Sequence, residues 1–141
     1  MNKSFLAISF AMLGFTSSLQ QVHAQISPTT QRASTVRIIQ GPSVEVAKDF
    51  LTVIRWTTNN PGGSPVHYGV VHYGTDPKSL SQTAKSPMRL DPTHSSSVFR
   101  VRLYDLIPGK TYYYTVSSTE SNGTDDRVRS AVKQFTIPAG L

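Results

Sequence analysis

The side chains that could do chemistry in this chain are few, and their spacing scatters them. His67, His72 and His94 are the histidines beyond residue 24. A hydrolytic metal site needs several His, Asp and similar ligands converging within a few ångströms. His67 and His72 lie five apart on one strand, so they face opposite sides, and His94 falls in a loop elsewhere. All three are expected to be solvated surface histidines. Asp125-Asp126 sits between two strands and reads as turn chemistry, not as paired acids. There is no Cys and no G-x-S-x-G, so nucleophilic catalysis has no obvious agent. No catalytic residue, metal ligand or cofactor site is expected. Two surfaces remain. Arg37, Arg55, Arg100 and Arg102 are expected on one outward sheet face, where guanidinium forks suit phosphate or carboxylate. Tyr68, Val70, His72 and Tyr113 are expected on the other sheet, as an aromatic patch able to stack on sugar rings or dock a partner domain.

The elements that must position these residues are short apolar runs between turn residues, the spacing of an all-β sandwich. Strands are expected over Val36–Ile39 with a continuation at Val44–Ala47 beyond Gly41-Pro42, then over Phe50–Thr58, Tyr68–Tyr73, Ser79–Ala84, Ser96–Leu103, Thr111–Thr119 and Val128–Ile137. Asn122-Gly123 marks the last hairpin. Asn59-Asn60-Pro61-Gly62-Gly63 is a loop in which little regular structure should persist. Alternation assigns faces. Ile54, Trp56, Phe99, Val101, Leu103, Val71, Tyr73, Tyr112, Tyr114 and Val116 point inward. Val53, Arg55, Arg100, Arg102, Tyr68, Val70, His72, Tyr113 and Thr115 point outward. In the last strand Val128 and Val132 conflict in parity with Ala131 and Phe135, which predicts a bulge.

The most informative stretch is Leu106-Ile107-Pro108-Gly109-Lys110-Thr111-Tyr112. A Pro-Gly corner precedes an alternating aromatic strand. Leu106 and Tyr112 are spaced so that the tyrosine hydroxyl can reach back to the backbone of the turn, the tyrosine corner of Greek-key sandwiches. With Trp56 on the second strand and Tyr73-Gly74 closing the third, the pattern resembles a fibronectin type III domain. The expected fold is therefore an immunoglobulin-like β-sandwich of about seven strands. A narrower resemblance lies inside it. Gln40-Gly41-Pro42, Ile54-Arg55-Trp56-Thr57-Thr58, Tyr73 to Leu80 and Pro108 to Tyr114 together look like the N-terminal domain of purple acid phosphatases. The resemblance implies a fold but not an activity. That family's metal ligands lie in a separate C-terminal domain with G-D-x-G, G-D-x-x-Y, G-N-H-[ED], V-x-x-H and G-H-x-H segments. No glycine here is followed by Asp, Asn or His.

Residues 1–24 read as a secretory signal. Lys3 provides a small positive region, Phe5 to Phe15 an apolar run too short for a membrane span, and Val22-His23-Ala24 a cleavage site. Residues 25–35 read as a flexible Ser/Thr/Gln-rich tether, and residues 36–138 as the domain. The chain carries 14 Lys+Arg and 8 Asp+Glu. That mild basicity favours contact with anionic surfaces such as lipid headgroups, acidic glycans or nucleic acid. The partner expected is a protein or an anionic glycan, with no specific nucleic acid. Cleavage near Ala24 would leave a secreted or periplasmic protein in which the Asn122 sequon could be used. The function expected is a non-catalytic interaction or spacer module. The competing expectation is a truncated or split phosphatase whose catalytic domain lies elsewhere.

Overall fold

The structure is a computed structural model that describes residues 31–140. The expected signal and most of the expected tether lie outside the described residues. Eight strands form: β1 (Ile38–Ala47), β2 (Thr52–Asn59), β3 (Val66–Gly74), β4 (Gln82–Arg89), β5 (Ser96–Leu103), β6 (Thr111–Glu120), β7 (Asp125–Arg129) and β8 (Lys133–Thr136). All pairings are antiparallel. A three-stranded sheet runs β1-β2-β5, and a five-stranded sheet runs β4-β3-β6-β7 with β8 also on β6. This is the expected all-β sandwich with one strand more than expected.

The extra strand comes from the parity conflict at the end of the chain. Val128 and Phe135 are buried while Val132 is 48% exposed. One strand cannot keep Val128 and Phe135 on the same face, because seven residues is an odd step in a two-residue repeat. The backbone resolves this by leaving the ladder at residues 130–132. β8 then pairs with Thr111–Tyr114 and β7 with Ser117 and Thr119 of the same partner strand. Asp125–Arg129 spends four steps where β6 spends two, and this irregularity places Arg127 at φ 57°. Strand β4 also begins and ends later than its sequence suggested, at Gln82–Arg89.

The core follows the alternation. Ile54, Trp56, Phe99, Val101 and Leu103 from one sheet meet Val71, Tyr112, Tyr114, Val116 and Phe135 from the other. Trp56 and Phe99 are cross-strand partners whose rings stack at 5.3 Å and 11°. They press on Gly69, where an added Cβ would stand 3.0 Å from both Trp56 and Val101. The glycine is thus the slot that lets the indole lie between the sheets. At the corner, the Ile107 N–H donates to the Tyr112 hydroxyl at 3.0 Å and Leu106 is buried. Backbone bonds from Gly109 to Ile137 and from Ile137 to Lys110 then stitch the corner to the end of the last strand.

Candidate functional site

β6 carries its apolar inward face through Tyr112, Tyr114 and Val116, then turns polar at Ser118 and Glu120, which are also buried. The same face of β3 carries His67, fully buried, and β7 contributes buried Asp126. A polar cluster therefore closes the end of the sandwich opposite the tyrosine corner. His67 Nδ1 bonds Asp126 Oδ2 at 2.9 Å and His67 Nε2 bonds the Gly62 carbonyl at 2.9 Å. A carboxylate oxygen and a carbonyl oxygen can only accept. With Asp126 ionised, as its lowered pKa favours, both ring nitrogens donate and His67 is an imidazolium.

The titration behaviour follows from these contacts. Burial alone would lower the His67 pKa. The hydrogen bond and charge of Asp126, the Gly62 carbonyl and the charge of Glu120 outweigh it and hold the imidazolium above its ordinary value. Burial would likewise raise the Asp126 pKa, but the bonds from His67 and Ser118 and the charges of His67 and Arg32 hold the carboxyl below its ordinary value. Ser118 Oγ donates to Asp126 Oδ2 at 2.7 Å, and Ser64 Oγ donates to Glu120 Oε2 at 2.9 Å.

Arg32 completes the cluster. Its Nε pairs with Glu120 Oε1, and its Nη2 lies 3.4 Å from Asp126 Oδ1. Two buried carboxylates are thus balanced by one imidazolium and one guanidinium, as buried charges require. Donor atoms of His67, Glu120 and Asp126 all lie within 4.8 Å of one another, a spacing a metal ion could bridge. A metal ion there would have to displace the His67 proton and compete with Arg32, which already supplies positive charge between the acids. Gly63 belongs to this arrangement: at φ 79° it leaves space that a Cβ would take from the Glu120 carboxylate and the Arg32 side chain.

These residues correct two expectations. His67 is not a surface histidine, and Asp126 is not a solvated turn residue, because both pay for their burial with each other. The alternation that placed Val71 and Tyr73 inward, run back to His67, was the signal. Run forward along β6 from Tyr112, it also reaches Ser118 and Glu120. The described part of the expected tether, residues 31–35, is fastened to the domain. The Ala33 N–H bonds the Pro61 carbonyl and Asn59 Nδ2 bonds the Thr35 carbonyl. The Asn59–Gly63 loop is likewise held, with Asn60 Nδ2 donating to the Asp91 and His94 carbonyls.

The expected arginine face divides. Arg55 and Arg100 are direct cross-strand partners, and Arg102 stands opposite Val53. Glu45 of β1 sits between the first two, 3.4 Å from Arg55 Nε and 3.0 Å from Arg100 Nε. Arg100 and Arg102 also border a groove of about 630 Å³ where β4 meets β5, alongside Lys85 and Glu45. Arg37 does not join them. It lies opposite Asn59, about 13 Å along the sheet from Arg55, and lines a different concavity with Arg127, Arg129 and Lys133.

The expected aromatic patch also divides. Tyr68 pairs with Thr119 and Tyr113 with Gly74, which separates the two rings by six strand positions, about 20 Å. Val70 faces outward yet is only 3% exposed, because Lys85 and Ser117 flank it on the two neighbouring strands. Tyr68, His72 and Tyr113 are half-buried. His72 Nδ1 contacts Thr83 Oγ1 at 3.1 Å, and partial burial with the charges of Arg129 and Lys85 pulls its pKa down. His94 is exposed, 3.6 Å from the Asp91 carboxylate.

A family model described as "Purple acid Phosphatase, N-terminal domain" matches residues 49–137, from just before β2 to the end of β8. The chain belongs to the purple acid phosphatase N-terminal domain family. No curated protein matches the chain. Among solved structures it is similar to the sensor domain of the anti-sigma factor RsgI4 in Pseudobacteroides cellulosolvens, at 15% identity over 75% of this chain and 90% of that one, with a TM-score of 0.49. In this purple acid phosphatase N-terminal domain, the tyrosine corner and the Trp56–Phe99 stack both fall inside the matched span. Among the described residues no helix is long and apolar enough to cross a membrane.

Proposed function

We propose that this purple acid phosphatase N-terminal domain is a secreted, non-catalytic module that serves as an interaction or spacer unit. The observation that carries the reading is the state of the His67 cluster. It is the one place among the described residues where three potential metal-ligating side chains converge, and its polar atoms are spent on one another. Hydrogen-bonded, charge-balanced groups of this kind hold strands together instead of presenting a base or a nucleophile. The test is turnover of p-nitrophenyl phosphate by the purified chain with iron, zinc or manganese supplied. No turnover is expected, and metal-dependent turnover that survives rigorous purification would overturn the reading. Export is tested by the mass of the released chain, which should begin at Gln25.

A second reading is favoured by one feature. Phe50 and Ile107 are 64% and 54% exposed and line one shallow depression with Pro108 at the corner end of the sandwich. Residues 137–139 leave the sheet beside the same corner, where Ala139 approaches Gly109. A catalytic domain on another polypeptide would find a docking end there in which Phe50, Ile107 and Pro108 are flanked by Asp49 and Asp105. Co-purification with a metallophosphatase chain from the same source, lost in a Phe50→Ser/Ile107→Ser variant, is the outcome this reading requires.

A further inference from the structure

The sandwich has an open seam where the β1 edge of one sheet faces β7 and β8 of the other. Lys133 bridges it, donating from Nζ to the Pro42 carbonyl at 3.0 Å. The concavity along this seam holds about 530 Å³ and is lined by Arg37, Arg127, Arg129 and Lys133. Buried Val36 and Val128 contribute to its floor. No acidic side chain lines it. Among the described residues none of its four cations takes part in an ion pair.

The contrast with the Arg55–Arg100 face decides what this means. There, one carboxylate already sits between the two guanidiniums. In the seam, Arg37, Arg127 and Lys133 line one depression with no acidic residue among its lining, while the charge of Arg129 acts on His72 across the outer sheet face. Like charges held together repel, and the repulsion is relieved by a bound anion. The seam is also where the β7 backbone departs from a regular ladder and sets Arg127 at a positive φ, with its N–H held by Asp125 Oδ1 at 2.7 Å. Positive φ at a non-glycine residue persists only where the surroundings fix it, and it clusters at ligand-binding positions.

We infer that the β1/β7–β8 seam is an anion-binding site for a ligand with two or more closely spaced phosphate, sulfate or carboxylate groups. Guanidiniums at Arg37 and Arg127 suit such oxygens in pairs. Lys133 keeps two N–H donors beyond the one given to Pro42. A volume of this size is within the range of small-ligand pockets, and the apolar floor accepts the body that carries the charges. The inference does not depend on whether the module is a spacer or a docking unit, so its failure would leave that reading standing.

The test uses the full chain, with inorganic triphosphate and a heparin-derived tetrasaccharide as probes, followed by amide shifts in nuclear magnetic resonance. Saturable binding of at least one probe is expected at or below about 1 mM, with the largest shifts at Ile38, Val128 and Ser130. Triphosphate alone would point to phosphate-bearing ligands, and the tetrasaccharide alone to a sulfated or acidic glycan. An Arg127→Gln/Lys133→Gln variant should weaken binding about tenfold or more, and Arg100→Gln/Arg102→Gln less than about twofold. Because Lys133 bridges the seam, Arg37→Gln, exposed and outside the strands, provides a second variant that should also weaken binding. Largest shifts at Arg100 and Arg102, equal weakening by both double variants, or no saturable binding of either probe at about 0.05 M salt would overturn the inference.

Discussion

His67 on β3 and Asp126 on β7 bond at 2.9 Å although β6 lies between their strands in the sheet. The contact therefore crosses the inward face of the central strand, passing Ser118, and ties the loop carrying Gly62 to the edge of the sheet. It also makes the domain's stability depend on pH in a defined direction. His67 has its pKa raised on folding, so its contribution is complete below about pH 6.5 and is lost as the pH climbs through the folded value. Asp126 has its pKa lowered, so its contribution is complete above about pH 4 and is lost as the pH falls through the folded value. Urea midpoints should be highest between these limits and decline on both sides. A midpoint still rising from pH 6 to pH 9 would contradict the imidazolium assignment. Asp126→Asn should cost about 3–5 kcal/mol, because it leaves a buried cation without its counter-charge, and should flatten the alkaline limb of the profile.

Arg32 should act as the fastener of the segment before β1. Its head group neutralises Glu120, whose side chain is 5% exposed. Arg32→Gln should lower stability by about 1–3 kcal/mol through the under-compensated carboxylate. It should also speed hydrogen exchange at the Ala33 amide, which bonds Pro61. Unchanged protection at Ala33 would show that the segment is held by its backbone contacts alone.

The corner and the indole slot offer the largest effects. Trp56→Ala should cost about 3–5 kcal/mol, on the scale of large-to-small core substitutions, since Trp56 is 1% exposed. Tyr112→Phe should cost about 1–3 kcal/mol, because the Ile107 N–H loses its acceptor. Denaturant midpoints equal to the parent for both variants would be incompatible with the observed packing.

Glu45 should matter only through charge. Glu45→Gln leaves Arg55 and Arg100 directly opposite each other without their shared carboxylate. Like charges in a cross-strand pair destabilise by about 0.2–1 kcal/mol, and salt at about 1 M shortens the screening length to roughly 3 Å. The loss in melting temperature should appear at low salt and vanish at high salt. An equal loss at both salts would mean that Glu45 acts by packing instead.

The sequence by itself determined the parts of this protein that depend on local chemistry. The Pro108-Gly109 corner with Tyr112 needs only a turn and a six-residue reach. The inward row of Trp56, Phe99, Val101, Tyr114 and Val116 needs only the two-residue repeat of a strand. Alternation also set Arg55, Arg100 and Arg102 outward, and all three remain there. Tertiary structure decided what alternation cannot state, namely what stands opposite each side chain. Val70 faces out and is covered by its neighbours. Arg37 shares a parity argument with Arg55 yet lies at another edge, because position along a strand and register between strands are set by pairing over long sequence distances. His67 and Asp126 are 59 residues apart, and although alternation along β3 turns His67 inward, nothing local to either residue names the other as its partner. Their burial became favourable only when folding supplied each with the other's charge, along with Arg32 and the Gly62 carbonyl. That exchange of solvent for partners is a property of the assembled sandwich and of no single segment.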